Sequence, residues 1–297
     1  MAIVQCVPNF SEGRDLEKIE KIVQPLRVKE GVKLLNYEAD KNYNRLVVTV
    51  IGEPNKVKNA VLESIGVATE LIDMNKHKGQ HSRFGATDVC PFIPIKDMTM
   101  DDAINLAREL GNEVASKYNI PVFLYESAAT NPERVNLATV RKGEYEGLDE
   151  KLKDTNWMPD FGDAKKHNTA GAIAIGARRP LIAYNINLDT ENIEIASKIA
   201  KAIRHSSGGY RFIKAGPVEV LERKMTQVTM NLTDYTKTSM YRAFEAVKME
   251  ARRYGVNVIG SEIVGLCPME ALIDVAQYYL GLENFDLGKV LETNLME

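Results

Sequence analysis

LIAYNINLDTENIEIASKIAKAI, residues 181–203, reads as a strand over 181–188 followed by a helix from Thr190 to about Ile203, because a short apolar run gives way to apolar residues at helical spacing. Two short strands at 218–221 and 226–232 come next. Met240, Phe244, Val247, Ala251 and Tyr254 then mark an amphipathic helix, and 256–259 a closing strand. The order is βαββαβ. Pro268 opens a last helix through about Leu280.

The first half of the chain has the same order. A strand at 2–8 leads to a helix from about Arg14, with Ser11 as its cap and Leu16, Ile19, Ile22, Val23 and Leu26 on its apolar face. Strands at 32–39 and 45–52 are joined by the turn-prone Asp40-Lys41-Asn42. Pro54 starts a helix in which Val57, Val61, Ile65, Ala68 and Ile72 recur, and a polar loop over 75–87 leads to a strand at 88–95. Thr99 with Asp102 opens an additional helix, and a further strand follows at 122–125. Two copies of βαββαβ predict an α+β fold of two tandem ferredoxin-like units rather than a Rossmann sheet, divided as residues 1–179 and 180–297. The Gly-, Pro-, Asp- and Lys-rich stretch 131–179 reads as connecting loops and short helices.

At 297 residues and 44% hydrophobic composition the chain has enough apolar material for two domains of ordinary size. A net charge of -3 gives no global attraction to nucleic acid or to an anionic membrane, so an anionic ligand has to be met by a local basic patch. No window approaches the roughly 20 apolar residues of a membrane span, and the start MAIVQCVPNF lacks the charged and apolar segments of a secretory leader; both point to the cytoplasm. Cys6, Cys90 and Cys267 are odd in number, far apart and apolar in context, implying neither a disulfide framework nor a zinc site.

Four histidines confine the search for a group titrating near neutral pH. His77 and His81 share the loop HKGQHSRFGATD, residues 77–88, between a helix and a strand. Their spacing would suit a metal only on a helix, which Gly79 disfavours, and neither a metalloprotease motif nor a nucleophile elbow is present; noncovalent acid-base chemistry remains, with no metal expected. NFSEG (9–13) reads as a capped helix start or as a polar wall of the site. Glu38 ends one strand and Asn44 and Arg45 open the next, so the three lie at one end of the sheet. The polar loop 160–171, with Lys165, Lys166 and His167 and with Arg178 and Arg179 beyond it, is either a solvated charge run or a receiver of an anionic tail.

CVPNFSEG (6–13), LIDMNKHKGQHSRFGATDVCPFIPI (71–95), PDFGDA (159–164), GARRPLIAYNINL (176–188) and VGLCPMEAL (264–272) together resemble the formiminotransferase family over nearly the whole chain. The resemblance implies two ferredoxin-like subdomains forming a cleft for tetrahydrofolate and its glutamate tail, and a homodimer. It implies transfer of a formimino group from N-formimino-L-glutamate to N5 of tetrahydrofolate, with or without a polyglutamate tail, in histidine degradation. The catalytic histidine then falls on His81, and the folate-contacting loop on Gly162, Asp163, Ala164, Lys165, Lys166, His167, Asn168, Thr169, Ala170 and Gly171. Unlike bifunctional members, the sequence ends at Glu297 without a cyclodeaminase domain, so a separate cyclodeaminase is expected downstream. Residue type and position make Arg45 and Arg83 candidates for the substrate carboxylates, Glu38 for the formimino nitrogen and Asn44 for a further substrate contact. Formyl transfer between 5-formyltetrahydrofolate and glutamate, a noncatalytic folate-binding protein and a metal hydrolase on His77 and His81 are the alternatives.

Overall fold

The structure is a computed structural model describing residues 1–27 and 29–295. It comprises two compact units, Met1–Arg178 and the chain from Arg179 onward. The elements of the first are β1 (Ile3–Cys6), β2 (Asn9–Phe10), α1 (Leu16–Arg27), β3 (Val32–Asp40), β4 (Arg45–Gly52), α2 (Pro54–Leu71), β5 (Thr87–Lys96), α3 (Met100–Tyr118), β6 (Val122–Glu126), α4 (Leu137–Arg141), α5 (Leu148–Lys151) and β7 (Ile173–Ala177).

Its 7-stranded sheet places β1 and β2, one strand interrupted at Val7-Pro8, between β4 and β5, with β3 outside β4. Numbered by the strands of the repeat, that order is 4-1-3-2, the ferredoxin-like arrangement. Beyond β5 the sheet continues through two parallel pairings, β5 with β7 and β7 with β6. The β7 strand corrects the reading of 131–179 as loops and short helices alone. IAIGA is short, small and buried along its whole length, so it shows neither alternation nor β-branched density.

Alternation along β4 sets the two faces of the sheet. Leu46, Val48 and Val50 are buried in one core with Ile19, Ile22, Val23 and Leu26 of α1 and Val57, Val61 and Ile65 of α2, while Arg45, Val47 and Thr49 lie on the other face. Cys6 and Cys90 meet within this core, their sulfurs 3.4 Å apart. Thr99 and Asp102 form the expected capping box of α3. Ser11 does not cap α1. The helix starts at Leu16, where Asp15 Oδ1 accepts the backbone N–H groups of Glu17 and Lys18, and Ser11 Oγ donates to the carbonyl of Gly85 instead.

The second unit contains β8 (Ile182–Leu188), α6 (Ile193–Ile203), β9 (Ile213–Val220), β10 (Met225–Leu232), α7 (Met240–Arg253), β11 (Val258–Val264), α8 (Met269–Leu280) and α9 (Leu291–Leu295). Its sheet runs β11-β8-β10-β9, again 4-1-3-2 and antiparallel throughout. Two strands are longer than the sequence suggested. β9 starts five residues earlier, with Pro217 tolerated because β9 is an edge strand, and β11 runs on to Val264 past an irregularity at Gly260. Residues 296 and 297 of the expected second domain lie outside the described residues.

Candidate active site

The loop between α2 and β5 carries His77 and His81, neither of them on a helix. Both ends of the loop are tied down. At its start Met74 N–H donates to the carbonyl of Thr169, and Asn75 Nδ2 donates to that of Asn168. At its end Phe84 is buried against Phe123, ring centroids 6.1 Å apart, a burial that contributes about 1.5–3 kcal/mol. In the middle the loop rests on the turn between β3 and β4. A Cβ on Gly79 would sit 2.2 Å from the carbonyl oxygen of Tyr43, so only glycine allows this approach. Asn44, at φ 50°, clasps both sides, its Oδ1 accepting from Gly13 N–H and its Nδ2 donating to the carbonyl of Lys78.

Hydrogen bonding assigns opposite tautomers to the two imidazoles. His77 Nε2 is 2.9 Å from the carbonyl oxygen of Asn44, which can only accept, so Nε2 carries the proton and Nδ1 accepts from Arg83 Nε at 3.4 Å. His81 Nε2 is 2.8 Å from Arg45 Nη1, and a guanidinium can only donate, so this nitrogen holds the lone pair and the proton is on Nδ1. Burial, then the positive charges of Arg45 and Arg141 and the proximity of His77, push His81 down to about 3. His77 is also lowered, chiefly by burial. At neutral pH both rings are neutral. The titration near neutral pH that an unperturbed histidine would show, at about 6.5, therefore does not describe His81 in the ligand-free chain.

Arg45 opens β4 opposite Asp40 of β3. Its guanidinium lies 5.7 Å from the centroid of the Tyr43 ring, and that ring meets His81 edge to face at 6.3 Å. Its Nε is buried without a hydrogen-bond partner, and among the described residues it has no carboxylate ion pair. Asp40 Oδ1 is engaged by the turn, accepting from Asn42 and Tyr43 N–H. Burial and the repulsion of Arg141 draw Arg45 below the ordinary guanidinium value, against the pull of Asp88, Tyr43 and Asp40. Arg141, from α4, is ion-paired with the buried Asp88 and also leaves its Nε unpartnered. The result is a pocket of half-buried positive charge around a neutral histidine.

Arg83 is placed differently from its sequence expectation. Buried to 7% exposure, it ion-pairs with Glu144 and Glu146 and donates to His77. Those partners lie some sixty residues downstream, in the stretch read as connecting loops. The side chain clamps the loop rather than presenting a free fork. Glu38 is exposed, paired in register with Val47 and accepting from Asn36 Nδ2; it shares the open sheet face with Arg45 but is not brought against His81 by any hydrogen bond.

The loop 162–171 divides in two. Gly162, Asp163, Ala164 and Lys165 are exposed, and Lys166 pairs with Asp149 and lies 4.6 Å from the Tyr145 ring centroid. From His167 to Gly171 the chain makes a closed turn, with His167 Nδ1 accepting from Ala170 N–H at 3.0 Å and Gly171 at φ 70° close under the Phe84 carbonyl. Asn168 and Thr169 are the residues whose carbonyls hold the start of the histidine loop. Arg141, Asp88 and Tyr43 are the members of the site that sequence reasoning missed. Among the described residues no group of three or more His, Cys, Asp or Glu side chains is arranged to hold a metal ion, and no helix is long and apolar enough to cross a membrane.

Comparison with known proteins adds an independent line. Residues 3–178 match the model of the formiminotransferase domain, N-terminal subdomain, and residues 183–294 match that of the formiminotransferase domain. A glutamate formimidoyltransferase of Streptococcus pyogenes serotype M1 is 52% identical over 99% of both chains. One from Thermoplasma acidophilum is 48% identical over 99% of this chain and 98% of its own. A formimidoyltransferase-cyclodeaminase of Rattus norvegicus is 41% identical over 95% of this chain and 53% of its own length.

Proposed function

Because this chain belongs to the formiminotransferase family, we propose that it moves the formimino group of N-formimino-L-glutamate to N5 of tetrahydrofolate, giving 5-formiminotetrahydrofolate and L-glutamate. The observation that carries the reading is the pairing of His81 with Arg45 in half-buried, cation-rich surroundings. A dicarboxylate substrate supplies a counter-charge for Arg45, which has no carboxylate ion pair among the described residues, and a neutral imidazole supplies the base.

The transfer forms a bond from N5 to the formimino carbon and breaks the bond from that carbon to the glutamate nitrogen. One proton must leave N5 and one must reach the departing nitrogen. His81 starts neutral, so it begins the cycle as the base, through Nε2, and returns the proton as the acid. Arg45 binds a substrate carboxylate, which fits its unpartnered Nε and its lack of a carboxylate ion pair among the described residues. Glu38, on the same sheet face, meets the cationic formimino group. Asn44 and Arg83 hold the loop in place rather than touch substrate. Residues 162–171 receive the folate, with the exposed Lys165 nearest in kind to what a glutamate tail needs. Holding the two substrates together supplies the larger part of the acceleration. We assign the reaction to the cytoplasm, to a homodimer and to histidine breakdown, with a separate cyclodeaminase consuming the product.

The test mixes the protein with both substrates and follows the methenyltetrahydrofolate absorbance that acid reveals. Wild type should turn over. His81→Ala should lose about 10²- to 10⁴-fold in turnover while still binding tetrahydrofolate. An inactive wild type, or an unimpaired variant, refutes the assignment.

A further inference from the structure

Arg45 occupies the very lone pair that the reaction needs. Its Nη1 donates to His81 Nε2 at 2.8 Å, so the free chain holds its base in a blocked form. The same arginine is half-buried, has no carboxylate partner among the described residues and leaves Nε without a hydrogen bond. Buried cations lacking a counter-ion and buried N–H groups lacking an acceptor are both unfavourable, so this conformation leaves the guanidinium open to a better partner. A carboxylate ligand accepts two parallel hydrogen bonds from a guanidinium, whereas an imidazole accepts one.

Resting on the proposed reaction, we propose that Arg45 is a substrate-operated switch: a ligand carboxylate draws its guanidinium off His81 Nε2, so that the base is released only when the amino-acid substrate is seated. No covalent bond changes in this exchange. One hydrogen bond to imidazole is replaced by a bidentate pair to carboxylate. The charged and titratable groups facing His81 are Arg45 on β4, Arg141 on α4 and His77 on its own loop, with Tyr43 edge to face; Asp88 and Asp40 act on Arg45. Seating an anion adds a negative charge to this set and withdraws Arg45 from the ring, and both changes move imidazole basicity upward.

Arg45 is thus a positioning residue for His81 as well as a substrate contact. The device keeps a buried, neutral imidazole out of play in the free chain. It also links the amino-acid substrate to the reactivity of the base.

Long-range ¹H–¹⁵N spectra of histidine-labelled protein read the tautomer and titration of His81 directly, with glutarate as the probe and chloride at matched ionic strength as control. In free wild type His81 should show an unprotonated Nε2 and stay neutral well below pH 6. Saturating glutarate should raise its pKa by about 1–3 units and chloride should not. Arg45→Met should raise it without any ligand and abolish the response to glutarate, and Arg45→Lys should give an intermediate response. Glutarate that leaves the ring unmoved, or an Arg45→Met protein in which His81 titrates as in wild type, overturns the exchange. None of these spectra needs turnover, so a failure of the assigned reaction shows separately in the activity assay.

Discussion

Replacing Arg83 by Ala separates a carboxylate-binding arginine from a loop clamp. Its guanidinium is bonded to Glu144 at 2.7 Å and to both oxygens of Glu146 at 2.8 and 2.9 Å, and it reaches His77 at 3.3 and 3.4 Å. The carboxylates are 41% and 65% exposed, so water takes them over when the arginine is removed, and each pair contributes no more than about 1 kcal/mol. The contacts to His77 add about 1 kcal/mol, giving about 2–3 kcal/mol for Arg83→Ala. The converse change is larger. Glu144→Gln or Glu146→Gln alone should cost about 1 kcal/mol or less, because the other carboxylate still balances the cation. Both together strand a buried guanidinium, at about 3 kcal/mol or more, so the double variant exceeds the sum. Urea midpoints measure this, and steady-state kinetics supply the decisive readout. A displaced His81 should lower kcat by about 10²-fold while the KM for formiminoglutamate stays nearly constant. A raised KM with unchanged kcat, together with additive glutamate variants, would refute the clamp and restore Arg83 as a substrate ligand.

Two further outcomes follow from the same geometry. With the folded value of His81 near 3 and an unfolded value near 6.5, the unfolded chain binds a proton that the folded chain refuses between those limits. The contribution to stability is complete above pH 6.5 and is lost as pH falls toward 3, by about 2 kcal/mol at pH 5. In the ligand-free protein, His81→Asn should therefore flatten the fall of the urea midpoint between pH 7 and pH 5, and parallel profiles would contradict the assigned state of the ring. Gly79→Ala places a Cβ 2.2 Å from the Tyr43 carbonyl and 2.8 Å from Asn44 Cβ, so the loop must lift off the β3–β4 turn. Activity should fall by about 10²-fold with little change in tetrahydrofolate binding, and full activity would show that the contact is dispensable.

The repeat was legible because each helix and most strands carry their own periodicity, from Val57–Ile65 in α2 to Met240–Ala251 in α7. What escaped was set by distant partners. Ser11 has the chemistry of a cap, but Gly85 competes for its hydroxyl, and Asp15, four residues on, takes the helix. The apolar run of β7 carries no alternation because both of its faces are covered. The loop and its glycine mark His81 as a candidate, and its place at the mouth of a strand marks Arg45. Arg141 lies in a stretch dominated by turns, and nothing local says that it will pair with Asp88 beneath the site. The partners of Arg83 escape for the same reason. A forked cation next to a catalytic motif looks free until Glu144 and Glu146 come back across it.

The position of β7 between β5 and β6 has a consequence for biosynthesis. β6 ends at Glu126, yet the strand that joins it to the sheet is not completed until Ala177. At about 5–20 residues per second, a ribosome needs about 3–10 s to make the intervening segment. Throughout that interval the apolar VFLYE strand has no strand of the sheet to pair with, Val122 gaining only an isolated bridge to Phe161 once that residue is made, and α3 lacks part of the surface it will cover. Folding of the first unit is therefore gated by its last strand, and a nascent chain paused inside residues 127–172 would be the form most in need of a chaperone.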